Sequence, residues 1–258
     1  MASIDPERLL SRVRGVKVVL FDFDGPLCDL FAVYTAAAVA ESMKEYLRRE
    51  LRLLSEREPQ LLSEFESYTD THQLLYDVAE RDDIPGDIHR GLDEVLAEAE
   101  RKAAEVAPRP TEGAAELVEL LDGAQLPIAI TTNNSAAAVR LYLKKHGLDR
   151  PFGERIFGRE APQLMKPNPN CLLMAMRHIG SEGDPGNCLM IGDSVRDLKA
   201  ASSAGVRFLA YDTPDERDPE RGKRLLGAGA DFLVSDMREV TEAFSRADLD
   251  CRSAPVRE

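Results

Sequence analysis

The segment Val16–Asp22 reads VKVVLFD, a short run rich in β-branched and apolar residues that stops on an aspartate. A run of this kind is a strand buried on both faces. It recurs at Leu126–Thr132, Cys188–Asp193, Val206–Tyr211 and Asp231–Val234. Helical patterns lie between several of these runs. Thr111–Leu121 places apolar residues at 114, 117, 118 and 121. Ser135–His146 opens on a capping serine and ends at Gly147, Pro169–Ile179 ends at Gly180, and Ser194–Ala204 ends at Gly205. Strands that alternate with helices pair in parallel through right-handed crossovers. The expected fold is therefore α/β, a doubly wound, Rossmann-like parallel sheet.

One stretch breaks the alternation. From Leu30 to about Val106 there is no convincing strand, and Phe31–Arg48, Gln60–Glu80 and Asp87–Val106 all read as helices. Turn and linker residues separate them, RDDIPG at 81–86 and APRP at 107–110. We expect a core domain formed by 1–29 and 107–247, an inserted helical subdomain at 30–106, and a loose polar tail from 248 to 258.

Composition narrows the partners. The 33 basic and 46 acidic side chains leave a net charge of −13, which repels nucleic acid and anionic membrane surfaces. No apolar run reaches the roughly 18 residues of a membrane span, and Met1–Gly15 has no apolar signal-peptide core. Cys28, Cys171, Cys188 and Cys251 are scattered, with no paired spacing for a metal or a disulfide framework. These features fit a soluble cytoplasmic protein with free thiols, a monomer or homodimer.

Open parallel sheets bind ligands beyond the carboxyl ends of their strands. The first strand delivers Asp22-Phe23-Asp24-Gly25 there, another Thr131-Thr132-Asn133-Asn134, and a third Gly192-Asp193-Ser194-Val195-Arg196-Asp197. An aspartate after a strand is often only a turn or helix cap. Several converging on one edge repel each other strongly in a low dielectric, and a hard divalent cation with oxygen ligands relieves that repulsion. Mg²⁺ suits a site of carboxylates plus phosphate best.

These residues resemble the motifs of the haloacid dehalogenase superfamily, in particular its phosphatases with an inserted helical cap, from about Val16 to Phe244. Asp22-Phe23-Asp24-Gly25 with Leu27 and Asp29 is similar to the opening motif, Thr132-Asn133 to the second, Lys166-Pro167-Asn168-Pro169 to the third, and Gly192-Asp193-Ser194 with Asp197 to the fourth. The closest branch in character is that of phosphoglycolate phosphatase and β-phosphoglucomutase. The resemblance implies a Mg²⁺-dependent phosphatase of a small phosphorylated metabolite, working through an aspartyl-phosphate. It implies Asp22 as nucleophile and Asp24 as general acid and base. Asp22, Asp193 and the Asp24 carbonyl would hold the metal. Thr132, Lys166, Gly25 and Asn133 would contact the phosphoryl group. Thr131 is an alternative to Thr132. Ser194 and Asp197 would stand behind these groups, Asp197 either holding Lys166 or a metal-bound water, or favouring the first turn of its helix. Pro26 departs from the family, which usually has threonine there; it removes an N–H and a hydroxyl beside the phosphate site.

Other reactions remain open on the same motifs. A dehalogenase lacks the second aspartate, so Asp24 argues against one. Phosphonate cleavage needs a cap amine, for which Lys44 and Lys102 are the candidates. A phosphosugar mutase would keep every motif, and a non-catalytic relative would bind a phosphorylated ligand without turnover. His72, His89, His146 and His178 are scattered and are read as no one's ligands.

Overall fold

The computed structural model describes residues 5–52, 60–213 and 218–247. Six strands form one sheet: β1 (Val18–Phe21), β2 (Ile128–Thr131), β3 (Ile156–Phe157), β4 (Cys188–Gly192), β5 (Arg207–Tyr211) and β6 (Leu233–Val234). Their order is β3-β2-β1-β4-β5-β6, and every pairing is parallel. The central strand β1 is buried along its whole length, as its unbroken apolar run requires. The chain winds outward from β1 in both directions, so the switch in strand order falls beside β1, where open sheets bind ligands. Five of the strands match the runs seen in the sequence. The sixth, β3, has only two residues and carries too little pattern to be recognised.

Side chains alternate across the sheet and build two apolar layers. Val19, Phe21, Ile128, Ile130, Leu189 and Ile191 face one cluster. Val18, Leu20, Ala129 and Met190 face the other, with Cys171, Leu172, Ala175 and Met176 packed against them. The first layer is covered by helices α6 (Ala114–Gly123), α7 (Ala136–His146) and α12 (Met237–Arg246). The N-terminal helix α1 (Pro6–Val13) packs on α12 and adds Leu9, Leu10 and Val13 to that layer. The second layer is covered by α9 (Asn170–Ile179) and α10 (Val195–Ala204). A single turn, α8 (Asp149–Phe152), and a short helix, α11 (Arg221–Gly227), complete the core.

Four helices occupy the inserted segment: α2 (Ala36–Glu50), α3 (Gln60–Glu66), α4 (Thr71–Ala79) and α5 (Gly86–Val106). No strand occurs there among the described residues. The pattern expected as one helix over 60–80 is broken, because Asp70 caps a new start by accepting from the Gln73 N–H. Likewise α2 begins at Ala36 rather than Phe31, since Thr35 caps it by accepting from the Ala38 N–H. The expected tail from 248 lies outside the described residues.

The longest helix, α5, carries a buried stripe of Ile88, Leu92, Leu96, Ala99 and Ala103, the spacing of one helix face. It packs on α2 and α4 and also on α7 of the core. Its last carbonyls are capped from the core: Lys145 Nζ donates to Glu105 O at 2.7 Å and to Ala107 O at 3.0 Å. Tyr142 Oη donates to Pro108 O at 3.0 Å. Cys28, Cys171 and Cys188 are buried free thiols. No helix among the described residues is long and apolar enough to cross a membrane.

Phe21 is fully buried at the centre of the sheet and meets Phe152 edge to face, with ring centroids 6.1 Å apart. Phe21→Ala should cost about 3–5 kcal/mol, read as a lower urea midpoint with an unchanged slope. A loss under about 1 kcal/mol would show that β1 is not the packing centre.

Candidate active site

Register brings the strand ends together. Phe21 pairs with Ile130 on one side and Ile191 on the other, so Asp22, Thr131 and Gly192 occupy the next rung. The Asp22 N–H donates to Ile191 O at 2.9 Å, which continues the ladder one residue past β1. The carboxylates of Asp22, Asp193 and Asp197 each offer an oxygen within 4.8 Å of the others.

Lys166 lies among them, with its side chain 2% exposed. Its Nζ is 2.9 Å from Asp22 Oδ1 and 2.5 Å from Asp197 Oδ1. It also donates to Thr131 O at 2.9 Å. Asn133 fixes the lysine's backbone with a matched pair of hydrogen bonds. Asn133 Oδ1 accepts from Lys166 N at 2.7 Å, and Asn133 Nδ2 donates to Lys166 O at 3.0 Å. The Asn133 amide is thus turned to Lys166, and its main-chain N–H is what it can turn to a ligand. The Lys166–Pro167 peptide is cis.

Asp197 does two things at once. Its Oδ1 holds Lys166, while Oδ2 accepts from Ser194 N at 3.0 Å and Ser194 Oγ at 2.6 Å. Ser194 Oγ accepts in return from Asp197 N at 3.2 Å, which completes a capping box at the start of α10. Both readings of Asp197 from the sequence are therefore satisfied together.

The turn after β1 is tight. Gly25 has φ +100°, and a Cβ there would collide with the Asp193 carboxylate. The Gly25 N–H donates to Cys28 O at 2.6 Å, so what this residue offers the site is the absence of a side chain. Asp24 Oδ1 accepts from the Leu30 N–H at 2.8 Å, where the inserted segment begins. Thr111 Oγ1 donates to Gly25 O at 2.8 Å, which brings a hydroxyl from the far end of the insertion to the turn that contains Pro26. Thr132 Oγ1 donates to Asn134 Oδ1 at 3.0 Å and accepts from Asn134 N at 3.2 Å. The Thr131 hydroxyl is buried without a hydrogen-bond partner among the described residues.

Two cavities flank Lys166 and the carboxylates. One, of about 640 Å³, is lined by Asp24, Gly25, Asp29, Asp193 and Arg221 among others. The second, of about 340 Å³, is lined by His72, Gln73, Tyr76, Asn133, Lys166 and Arg196 among others.

Burial and crowding set the charges. Burial, then the charge of Asp197, push the Asp22 carboxyl up to about 6, against the pull of Lys166. Asp193 is also raised, by burial first and then by Asp197 and Asp22, while Arg221 pulls it back. For Lys166 burial acts downward, and the two aspartates outweigh it and raise it. These are the shifts of an acidic cluster with one internal cation.

The donor set fits a hard divalent cation. All the ligand atoms are carboxylate oxygens, close together and partly buried. Asp197 is engaged on both oxygens by Lys166 and Ser194. That leaves Asp22 and Asp193 as the carboxylates of this cluster that could turn an oxygen to a cation.

Three charged residues in or behind the site were missed in the sequence. Arg221 Nη1 is 3.0 Å from Asp193 Oδ2, and its Nε is 2.7 Å from Asp212 Oδ1. Arg159 and Glu100 form a buried pair behind the Thr132 loop. The only hint of the latter is that Glu100 stands four residues from Leu96 and three from Ala103, on the apolar stripe of α5.

Residues 16–205 match the haloacid dehalogenase-like hydrolase family. Phosphoglycolate phosphatase of Neisseria gonorrhoeae is 30% identical, over 84% of this chain and 91% of that protein. N-acetylmuramic acid 6-phosphate phosphatase of Pseudomonas aeruginosa is 29% identical, over 57% of this chain and 62% of its own length. A haloacid dehalogenase family hydrolase of Deinococcus radiodurans, solved with phosphate and sodium, superposes with a TM-score of 0.58 at 25% identity, over 92% of this chain and 98% of that one. The chain belongs to the haloacid dehalogenase-like hydrolases. It is an enzyme, and its fold is the parallel Rossmann-like sheet of that family.

Asp22 binds its proton more tightly in the folded chain than an unfolded aspartate does. The cation-free fold is therefore helped by the proton at acid pH and loses that help as pH rises from about 4 through 6. A divalent cation needs the ionised carboxylates, so its stabilisation should grow over the same interval. The rise in Tm on adding about 10 mM Mg²⁺ should be several-fold larger at pH ~7.5 than at pH ~5. An equal rise at both would show that the raised carboxylates do not bind the ion.

Proposed function

We propose that this enzyme is a Mg²⁺-dependent phosphatase of small phosphorylated metabolites that acts through a phosphorylated Asp22. The observation that carries the reading is the buried Lys166 ammonium, shared between Asp22 and Asp197 at the ligand edge of the sheet. A lysine there keeps Asp22 anionic near neutral pH and offsets charge on an incoming phosphoryl group. The family assignment and the phosphatase names of the relatives support the same chemistry.

In this scheme the side-chain contacts of Asp22 with Lys166 and with the Phe23 N–H fall on Oδ1. Oδ2 attacks phosphorus, and the bond from phosphorus to the ester oxygen breaks. Asp24 donates a proton to that leaving oxygen. Asp24 then takes a proton from water, the water oxygen attacks the same phosphorus, and the acyl-phosphate bond breaks to free Asp22 and release phosphate. Thr132 turns its hydroxyl from Asn134 to a phosphate oxygen, and Lys166 and the main chain at Asn133 grip the others. Asp22, Asp193 and the Asp24 carbonyl would hold Mg²⁺, which would supply positive charge against the nucleophile and the phosphate.

Asp22→Asn should leave the fold intact and remove turnover of p-nitrophenyl phosphate, because an amide does not attack phosphorus. Retention of more than about 5% of wild-type kcat would refute the nucleophile assignment.

The inserted helices act as a lid over the ligand edge, with the segments 25–29 and 107–110 as its connections to the core. The cavity over Asp24 and Asp193 is of a size for one small ester, in keeping with phosphoglycolate- or sugar-phosphate-like substrates. Closure excludes water and strengthens the charge interactions beneath it. We expect kcat/KM for a two- or three-carbon phosphate ester to exceed that for a folded phosphoprotein by at least about 100-fold. Comparable values for the two would refute the lid.

A further inference from the structure

Glu100 is fully buried, yet it is a carboxylate on the apolar stripe of α5. Every described contact of its two oxygens is with a nitrogen group. Oε1 accepts from Arg159 Nη1 at 2.8 Å and from Asn134 Nδ2 at 3.2 Å. Oε2 accepts from Ser135 N at 2.8 Å and from Arg159 Nη2 at 3.3 Å. His72 Nε2 stands 3.4 Å from Oε1. Burial alone would raise this carboxyl, but Arg159 and His72 outweigh it and hold it at about 2.

Arg159 is equally enclosed, with its side chain 1% exposed. It follows β3 and reaches in three directions. Nη1 also donates to Asn133 O at 2.7 Å, and Nε donates to Asp93 Oδ1 at 2.7 Å. Its own N–H donates to Asn134 O at 3.0 Å. The approach is close: a Cβ on Gly158 would lie 2.6 Å from Asn134 O and 2.7 Å from Ala136 N.

The groups held in this way lead directly to the site. Asn134, gripped by Glu100, orients the Thr132 hydroxyl. Asn133, whose carbonyl is gripped by Arg159, brackets the backbone of Lys166. We propose that Glu100 and Arg159 are a positioning pair, through which the last helix of the inserted segment sets the geometry of the phosphate-gripping loop 131–135. The proposal rests on the reading of Thr132, Asn133 and Lys166 as the groups that hold the phosphoryl. Neither residue of the pair touches substrate. Their effect passes through Asn133 and Asn134. It follows that α5 belongs mechanically to the core, since tilting it away would strip a buried carboxylate of its donors.

Three variants test this: Glu100→Gln, Arg159→Lys and Asn134→Ala. Glutamine is isosteric, but its amide would set a donor against Ser135 N–H or Asn134 Nδ2. Lysine keeps the charge and loses the fork. Asn134→Ala removes the side-chain bridge from Glu100 to Thr132 and leaves the Asn134 N–H on Thr132 Oγ1 and the ion pair in place, so it serves even if the other two fail to fold. Binding of inorganic phosphate in the presence of Mg²⁺ is measured by calorimetry, and p-nitrophenyl phosphate turnover is measured in parallel, well below each variant's Tm. Phosphate affinity should fall by about 10-fold or more in each folded variant, and kcat/KM by up to about 100-fold. Folded variants with lower Tm but phosphate Kd and kcat/KM within about twofold of wild type would make the pair purely structural and overturn the proposal. A wild-type protein that binds phosphate without turning over the ester would remove the phosphatase reading alone, and the affinity losses would still decide this one. A wild-type protein that does not bind phosphate would overturn both.

Discussion

Three carboxylates at the end of a dry parallel sheet cannot all be ionised without a counter-charge, and Lys166 is the counter-charge the chain provides for itself. Asp22, Asp193 and Asp197 approach within 4.8 Å of one another, in surroundings that push Asp22 up to about 6. At such separations a pair of unit charges interacts by several kcal/mol even at an effective dielectric of about 20. The buried ammonium meets two of the three directly. Arg221 meets the third, Asp193, from the side of the larger cavity. A divalent cation adds to this arrangement rather than creating it, since the carboxylates are already brought together by strand register.

Holding Lys166 in place occupies much of the neighbourhood. Asn133 brackets its backbone on both sides, Thr131 O receives its third hydrogen bond, and Asp197 is steadied by the capping box with Ser194. Conserving such a geometry requires rigid elements, and the site uses the ends of β1, β2 and β4 together with the first turn of α10. Asp24 lies on the other side, in the turn that leads into the inserted helices, where its Oδ1 accepts from the Leu30 N–H. In the proposed reaction this is the group that meets first a leaving oxygen and then a water.

The inserted segment has two mechanical characters. Its last helix is sewn to the core by Glu100 and Arg159, by Lys145 on its final carbonyls and by Tyr142 on the linker. Its earlier helices reach the core through contacts such as Arg196 with Asp70, which are partly exposed. Partly exposed pairs contribute little and reform readily, whereas buried ones resist separation.

The amino-acid sequence alone was enough for the sheet, five of its six strands and the helices that end at Gly147, Gly180 and Gly205. It was also enough to point to Asp22, Asp24, Asp193 and Asp197 as neighbours, while Lys166 was placed beside them only by the family resemblance. These features are local: an apolar run, a cap or a stop glycine is written in adjacent residues, and parallel pairing then carries the strand ends to one edge. Short or interrupted elements escaped it. Two-residue β3 has no period to detect, and the break at Asp70 was hidden because apolar residues continue on both sides of it. What only the tertiary structure decided is which polar side chains share the interior. Arg159 and Glu100 are 59 residues apart, Arg221 and Asp193 28 apart, and Asn133 and Lys166 33 apart. Nothing in the neighbours of a buried arginine reveals its partner. That choice is made when the helices dock, because a charge excluded from water must find its opposite within hydrogen-bond reach, wherever in the chain it lies.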